Sequence, residues 1–234
     1  MTGSKVAAAM VSLSLALSVA AERAGADSIS YQDAVGLLTT DWTRTAQVPK
    51  FDPGLGSLIQ IVLEITAMAE RSYAFENLDA KEALITMRLA GSVQMQAPDL
   101  SLLTAAFPEV YTADAVTAFD TTLDFAGSSG KTYAPAQVAA WQNRVLTAPL
   151  SLADEAAFVG ASGLVSLPVH AEATAYATGP GNLYALFGSK ASATVTVTYE
   201  YTPVPEPGAI AVVAWVPAYW LLRRRRRLNA QGQV

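Results

Sequence analysis

Cysteine is absent from the 234 residues, and histidine occurs once, as His170. The first absence excludes a disulfide frame, a Cys-ligated zinc or iron–sulfur centre and a thiol nucleophile. The second excludes any site built from several imidazoles. Charge is sparse, at 15% of residues, against 52% hydrophobic, which is the reverse of a disordered composition. Long apolar runs are missing except at the two ends, so a polytopic helical membrane protein is excluded. Basic charge is missing from the middle. Seven of the 15 Lys and Arg residues sit in the terminal segments (Lys5, Arg23 and Arg223 to Arg227). Between Asp27 and Val204 there remain 8 basic against 18 acidic residues, a balance of −10. That argues against nucleic acid as a partner, because phosphate binding relies on basic patches.

The two ends read as addresses. Lys5 makes a short basic start, Val6 to Ala21 is a small-residue apolar stretch, and Ala24-Gly25-Ala26 supplies the small side chains that a signal peptidase reads. This is the pattern of a secretory signal peptide over residues 1–26, with Ala24 and Ala26 at the cleavage site and Ser18-Val19-Ala20 as a rival site. The plainer alternative is an uncleaved N-terminal anchor. At the other end, Val204-Pro205-Glu206-Pro207-Gly208 precedes 14 uncharged residues, Ala209 to Leu222, and then Arg223, Arg224, Arg225, Arg226 and Arg227. As a helix the uncharged run spans roughly 21 Å, short of the ~30 Å hydrocarbon core. Trp215, Tyr219 and Trp220 suit the interface, Pro217 predicts a kink, and arginines snorkel. The segment reads as a short transmembrane helix with a basic stop on the cytoplasmic side, a temporary tether.

Residues 204–234, with Val204, Pro205, Glu206 and Pro207 as the motif, the short apolar segment and the arginine cluster in that order, resemble a PEP-CTERM sorting signal. The resemblance implies processing by an exosortase after export across the inner membrane of a Gram-negative envelope, usually alongside exopolysaccharide production. It covers about the last thirty residues and does not bear on the domain upstream.

That domain, residues 27–203, alternates with a period of two. Ile59, Ile61, Leu63 and Ile65 oppose Gln60, Glu64 and Thr66; Ile85, Met87, Leu89, Val93 and Met95 oppose Thr86, Arg88, Ser92, Gln94 and Gln96. Val165, Leu167 and Val169 oppose Ser166, His170, Glu172 and Thr174, and Ala193, Val195, Val197, Tyr199 and Tyr201 oppose Thr194, Thr196, Thr198 and Glu200. Such alternation marks strands with one buried and one wet face. Tyr73 and Phe75 predict a further short strand leading into a turn at Asn77-Leu78-Asp79-Ala80. Turn chemistry is dense at Phe51-Asp52-Pro53-Gly54, Gly127-Ser128-Ser129-Gly130 and Thr178-Gly179-Pro180-Gly181-Asn182. Ala134 to Val145 reads as a short helix, with Pro135 early and Val138, Trp141 and Val145 at helical spacing. Pro168 marks its strand as an edge or bulged. The expected fold is all-β, a single β-sandwich of jelly-roll or Greek-key type with a short helix, flanked by a signal helix and a transmembrane helix.

Pro49-Lys50-Phe51-Asp52-Pro53-Gly54-Leu55-Gly56-Ser57-Leu58 is similar to the "FDP-x-LG-x-L" opening of the choice-of-anchor E domain. Similar too are Glu76-Asn77, Asp120-x-x-x-Asp124-Phe125-x-Gly127-x-Ser129-Gly130, Phe158-x-Gly160-x-x-Gly163, Gly181-Asn182 and the closing Val195 to Tyr201. Thr121-Thr122 departs from the pattern, where a glycine is expected soon after the first Asp. The family name records association with different surface anchors, which implies a module displayed outside the cell. It implies no activity.

Chemistry-bearing candidates are few. Asp120 and Asp124, with Glu76, Asn77 or Asp52, are oxygen donors for calcium, although the spacing is that of no EF-hand or nonapeptide repeat, and simple solvation is the plainer reading. His170 with Ser166 or Ser162 lacks a G-x-S-x-G elbow and reads as a solvated strand histidine. Trp42, Trp141 and Tyr133 are either an aromatic platform for sugar rings or core residues, the latter favoured. Paired carboxylates for glycoside cleavage are set by three-dimensional pairing. The expectation is an exported protein without enzymatic activity, structural or adhesive in an exopolysaccharide context, and without a required cofactor. Its processing partners would be signal peptidase and an exosortase. It would be tethered to the inner membrane as a precursor and then reside at the cell surface or in the extracellular matrix. The alternatives are a carbohydrate-binding module, for which a row of exposed aromatics on one sheet would be decisive, and a secreted hydrolase.

Overall fold

Period-two alternation becomes two antiparallel sheets. The computed structural model describes residues 25–204. Eight strands follow in order: β1 (Asp27–Thr39), β2 (Trp42–Pro49), β3 (Gly56–Asn77), β4 (Ala83–Gln96), β5 (Leu102–Val116), β6 (Gly130–Thr147), β7 (Leu164–Thr178) and β8 (Leu183–Pro203). Among the described residues one α-helix, α1 (Leu152–Phe158), lies between β6 and β7, and a 3-10 turn (Pro53–Leu55) precedes β3. One sheet has the order β1-β8-β3-β6 and the other β2-β7-β4-β5. The pairs β1·β8, β2·β7, β3·β6 and β4·β5 are nested, as in one long hairpin whose tip is the turn at residues 97–101. Rolling that hairpin also sets β8 beside β3 and β7 beside β4. This is a jelly-roll sandwich.

The chain divides into two units. The larger, Ser28–Pro53 with Leu58–Glu200, holds the sandwich. Its inner faces carry the apolar halves of the alternating patterns: Ile61, Leu63 and Ile65 on β3, Val93 and Met95 on β4, Val165, Leu167 and Val169 on β7, Val195 and Val197 on β8, all buried. Burying each such side chain contributes about 1.5–3 kcal/mol relative to exposure. Phe51 and Phe158, also buried, join the β2–β3 connection to α1: the Phe51 N–H donates to the Phe158 carbonyl at 2.8 Å, and the Gly160 N–H to the Phe51 carbonyl at 2.9 Å. In the smaller unit, which includes Gly54–Ser57, the Val204 N–H donates to the Leu55 carbonyl at 3.0 Å and the Tyr201 hydroxyl to the Asp27 carboxylate at 3.2 Å. Gly56, at φ 155°, leaves no room for a Cβ beside the Thr202 carbonyl.

Three sequence expectations are corrected. Ala134 to Val145 is not a helix but the middle of β6, paired with β3 along its length. Helical spacing of three apolar residues is also compatible with a strand, and cross-strand pairing decides between them. Pro135 marks a bulge there: Ala134 and Pro135 together oppose Ser72, because Arg71 pairs with Ala136 and Tyr73 with Tyr133. A missing N–H is tolerated at a bulge. β5 repeats the device, with Pro108 and Glu109 opposing Ala90. Tyr73 and Phe75 are not a separate strand but the far end of the 22-residue β3. Pro168 does not mark an edge, since β7 lies between β2 and β4; it sits one residue beyond the last β4 pair, Met95 with Val169, so the β4 ladder loses nothing.

The helix that does form carries its own start signal. The Ser151 Oγ accepts from the Asp154 N–H at 3.1 Å, the bond of an N-cap, and donates to the Asp154 carboxylate at 2.6 Å. Among the described residues no helix is long and apolar enough to cross a membrane. The signal peptide through Ala24, the motif residues Pro205, Glu206 and Pro207, the run Ala209 to Leu222 and Arg223 to Arg227 lie outside the described residues. Ala26 is exposed immediately before β1, and Val204 is the last described residue.

Candidate functional site

The outward face of β2-β7-β4-β5 carries the polar halves of its strands. Near one end of β4, Arg88 pairs in register with Tyr111 on β5 and with Tyr176 on β7. Its guanidinium carbon lies 5.1 Å from the Tyr111 ring centroid and 5.6 Å from that of Tyr176, so two aromatic faces flank one cation. Each contact at such an exposed position contributes about 0.5–1 kcal/mol. The Glu109 carboxylate stands 3.7 Å from the guanidinium. Both tyrosines remain open to solvent, at 57% and 47% exposure. Strand β2 begins at Trp42, which pairs with Ala171, and so stops short of Tyr176. The far face of the Tyr176 ring therefore has no β2 neighbour.

Four to six residues further along β4, about 13–20 Å at ~3.3 Å per residue, the face becomes a hydrogen-bonding row. Ser92 Oγ donates to the Glu172 carboxylate at 3.0 Å and the Gln94 amide donates to the same oxygen at 3.1 Å. His170 pairs in register with Gln94 on one side and Thr43 on the other, and its Nδ1 lies 3.0 Å from the Thr43 hydroxyl. Ser166 sits four residues away on the same strand, about 13 Å at strand rise, so the structure pairs His170 with a threonine and not with a serine nucleophile.

The three ring residues considered as a platform are not brought together. Trp42 is buried and its indole N–H donates to the Ala191 carbonyl at 3.2 Å. Tyr133 stacks on Tyr73, centroids 4.4 Å apart and planes 23° apart. Trp141 lies on the outer face of β6, 65% exposed. The aromatic pair that does share a face, Tyr111 and Tyr176, was not singled out by the sequence.

Where the edges of the two sheets approach, at β5 and β6, polar groups line the seam. Asp114 accepts from Lys131 Nζ at 2.5 Å and from the Tyr133 hydroxyl at 2.7 Å. Burial favours the neutral form of Asp114, but the hydrogen bonds from Lys131 and Tyr133 and the lysine's charge outweigh it and hold the carboxyl below its ordinary value. The hydrogen bond to Asp114 in turn raises Lys131. An open groove of about 830 Å³ runs beside this pair, lined by Glu82, Leu84, Asp114 and Lys131 with the Gly127-Ser128 turn. Glycoside cleavage pairs a carboxylic acid held protonated with a second carboxylate kept ionised; the downward shift of Asp114 is of the second kind.

The proposed calcium donors are used locally. Asp120 accepts from the Thr122 N–H and Asp124 from the Ala126 N–H, each at 2.9 Å, two side-chain-closed turns in the β5–β6 connection. Glu76 is fully buried at the end of β3, accepting from Ser129 Oγ at 2.5 Å and the Phe125 N–H at 2.8 Å. Asn77, also buried, donates to the Lys81 and Thr117 carbonyls at 2.8 and 2.7 Å and accepts from the Asp79 N–H at 3.0 Å. Together Glu76 and Asn77 pin the connections that follow β3 and β5. Asp52 lies in the β2–β3 connection, at the other end of β3. Among the described residues no group of three or more His, Asp or Glu is placed to hold a metal ion.

No family model and no curated protein matches the chain. Among solved structures it is similar to that of infectious bursal disease virus Gt strain, at 11% identity over 89% of this chain and 51% of that one, with a TM-score of 0.13. The T=1 particle derived from infectious bursal virus matches at 12% identity over 87% and 48%, with a TM-score of 0.15. The chain thus spans about half the length of these structures, and at such scores the likeness carries no argument.

Proposed function

We propose that the chain is an exported surface or matrix protein without enzymatic activity, adhesive towards neutral polysaccharide through the outer face of β2-β7-β4-β5. The observation that carries this reading is the rung Tyr111–Arg88–Tyr176. Exposed ring faces suit the apolar faces of sugars, and a guanidinium, an amide, a carboxylate and hydroxyls within about 20 Å offer both donors and acceptors to hydroxyl groups. A polyanion is disfavoured by the balance of −10 over the domain. Export and processing rest on the signal-like start and on the Pro-Glu-Pro, apolar and arginine order of the end. The reading of the face is tested by sedimenting the protein with insoluble neutral glucans. Wild type should co-sediment and Arg88→Ala with Tyr111→Ala should not; equal sedimentation refutes it. The sorting reading is tested by deleting residues 204–234, which should abolish surface delivery in the native host.

A further inference from the structure

The end of the sandwich formed by the β4–β5 turn, α1 and the start of β7 shows leucine to solvent. Leu100 is 74% exposed and Leu152 87%, with Leu102 and Leu164 also exposed. Leu100 and Leu164 border one groove of about 340 Å³, floored by Ala97, Pro98, Ala157 and Val165. The turn itself is unusual. The Leu100 N–H donates to the Ala97 carbonyl at 2.9 Å, the Ala97 N–H to the Ser101 carbonyl at 2.8 Å, and Leu100 has φ 67°. A tight hairpin turn whose last loop residue is left-handed prefers glycine there. A branched side chain at positive φ that buries almost nothing is not accounted for by the fold.

The chain itself indicates what covers this end. The Tyr199 hydroxyl near the end of β8 donates to the Pro49 carbonyl at 2.8 Å, and Pro49 pairs with Leu164, so β8 runs towards the leucine-bearing end. The uncharged run Ala209 to Leu222 begins nine residues after Glu200. Nine residues reach at most about 30 Å. A bilayer holding that run is within reach of Leu100 and Leu152, and not of the far end of the strands by the same margin.

We propose that, in the tethered precursor, the leucine-bearing end rests on the outer leaflet of the membrane, with Leu100 and Leu152 inserted among the lipids. This rests on the tether reading above. The surface suits zwitterionic lipid. Asp99 is held by Arg144 at 2.7 Å and Asp154 by Ser151, which leaves Glu155 as the exposed acid of α1. Lys50, on the groove, donates to the Ala156 carbonyl at 2.8 Å.

The absence of cysteine gives a direct test. The full chain carrying Leu100→Cys, Leu152→Cys or Ala80→Cys is labelled with an environment-sensitive fluorophore and reconstituted in phosphatidylcholine vesicles. Ala80 is exposed in the turn after β3, at the opposite end. The labels at 100 and 152 should shift to the blue and be quenched by lipid-borne quencher, while that at 80 should not. Vesicle-bound protein with all three labels in water overturns the proposal and leaves the tether standing. Failure to bind vesicles overturns both. A blue shift at 100 that needs no vesicles and grows with protein concentration points to a second copy on this surface and overturns the lipid assignment.

Discussion

Glu76 and Gly130 face each other across the β3–β6 ladder, and the carboxylate of Glu76 occupies the space a Cβ on Gly130 would need. The glycine is there for room, since its φ lies outside the left-handed region. The carboxylate so admitted takes the Ser129 hydroxyl and the Phe125 N–H, and thereby holds the β5–β6 connection against the end of β3.

Gly130→Ala should therefore destabilise the protein by about 1–3 kcal/mol, the usual cost of overpacking a filled site. Gly181→Ala, with nothing within 4 Å of the added methyl group, should stay within about 0.5 kcal/mol of wild type. Urea denaturation of the two variants compares them directly. Equal midpoints would mean that the Glu76 pocket yields freely.

Arg88→Ala should separate binding from stability. The cation lies between two exposed rings and beside a half-exposed carboxylate, so its loss should cost no more than about 2 kcal/mol in folding. Retention on a neutral glucan column should fall for Arg88→Ala and for Tyr176→Ala, and stay at the wild-type level for Trp141→Ala on the other sheet. Unaltered retention of the first two would remove the face from the function.

Asp114 and Lys131 predict a window of pH. The folded carboxyl lies below its ordinary 3.8, so its contribution is complete above about pH 4 and is lost as pH falls through the lower folded value. Lys131 is raised above its ordinary 10.5, so its contribution is complete below that pH and is lost as pH rises through the higher folded value. The stability gap between wild type and Asp114→Asn should be widest between these limits and close towards pH 2. A gap independent of pH would show that the pair contributes through packing alone.

The parts of this fold legible in the sequence were those with one clean apolar face: β3, β4, β7 and β8 announce themselves by alternation. β5 does not, because Pro108 and Glu109 form a bulge that breaks the period. β6 was misread because alanines mask which side is buried, and an edge strand is exposed on much of both faces. Helix α1 is too short to show a period, although its N-cap, Ser151 three residues before Asp154, stands in the sequence. Arg88, Glu172 and His170 were legible as wet-face residues. Their assembly with Tyr111, Tyr176 and Thr43 was not, since it depends on the registers of four strands drawn from distant parts of the chain. Leu100 was illegible for another reason: φ is a property of the turn, and a lone leucine after Pro-Asp carries no mark of it.

That leucine gives the prediction in which fold and proposed role pull apart. At φ 67° a side chain costs roughly 1–2 kcal/mol relative to glycine, and Leu100, three-quarters exposed, recovers little of this by burial. Leu100→Gly should thus raise stability by about 1 kcal/mol in urea denaturation, offset in part by the greater freedom of glycine in the unfolded chain. If Leu100 is seated in lipid, the same substitution should weaken the body's hold on the bilayer, read as increased protease access to α1 in vesicle-bound full-length protein. A variant that is both more stable and more exposed at the membrane is the expected signature. A loss of stability instead would mean that the side chain packs where the structure leaves it open.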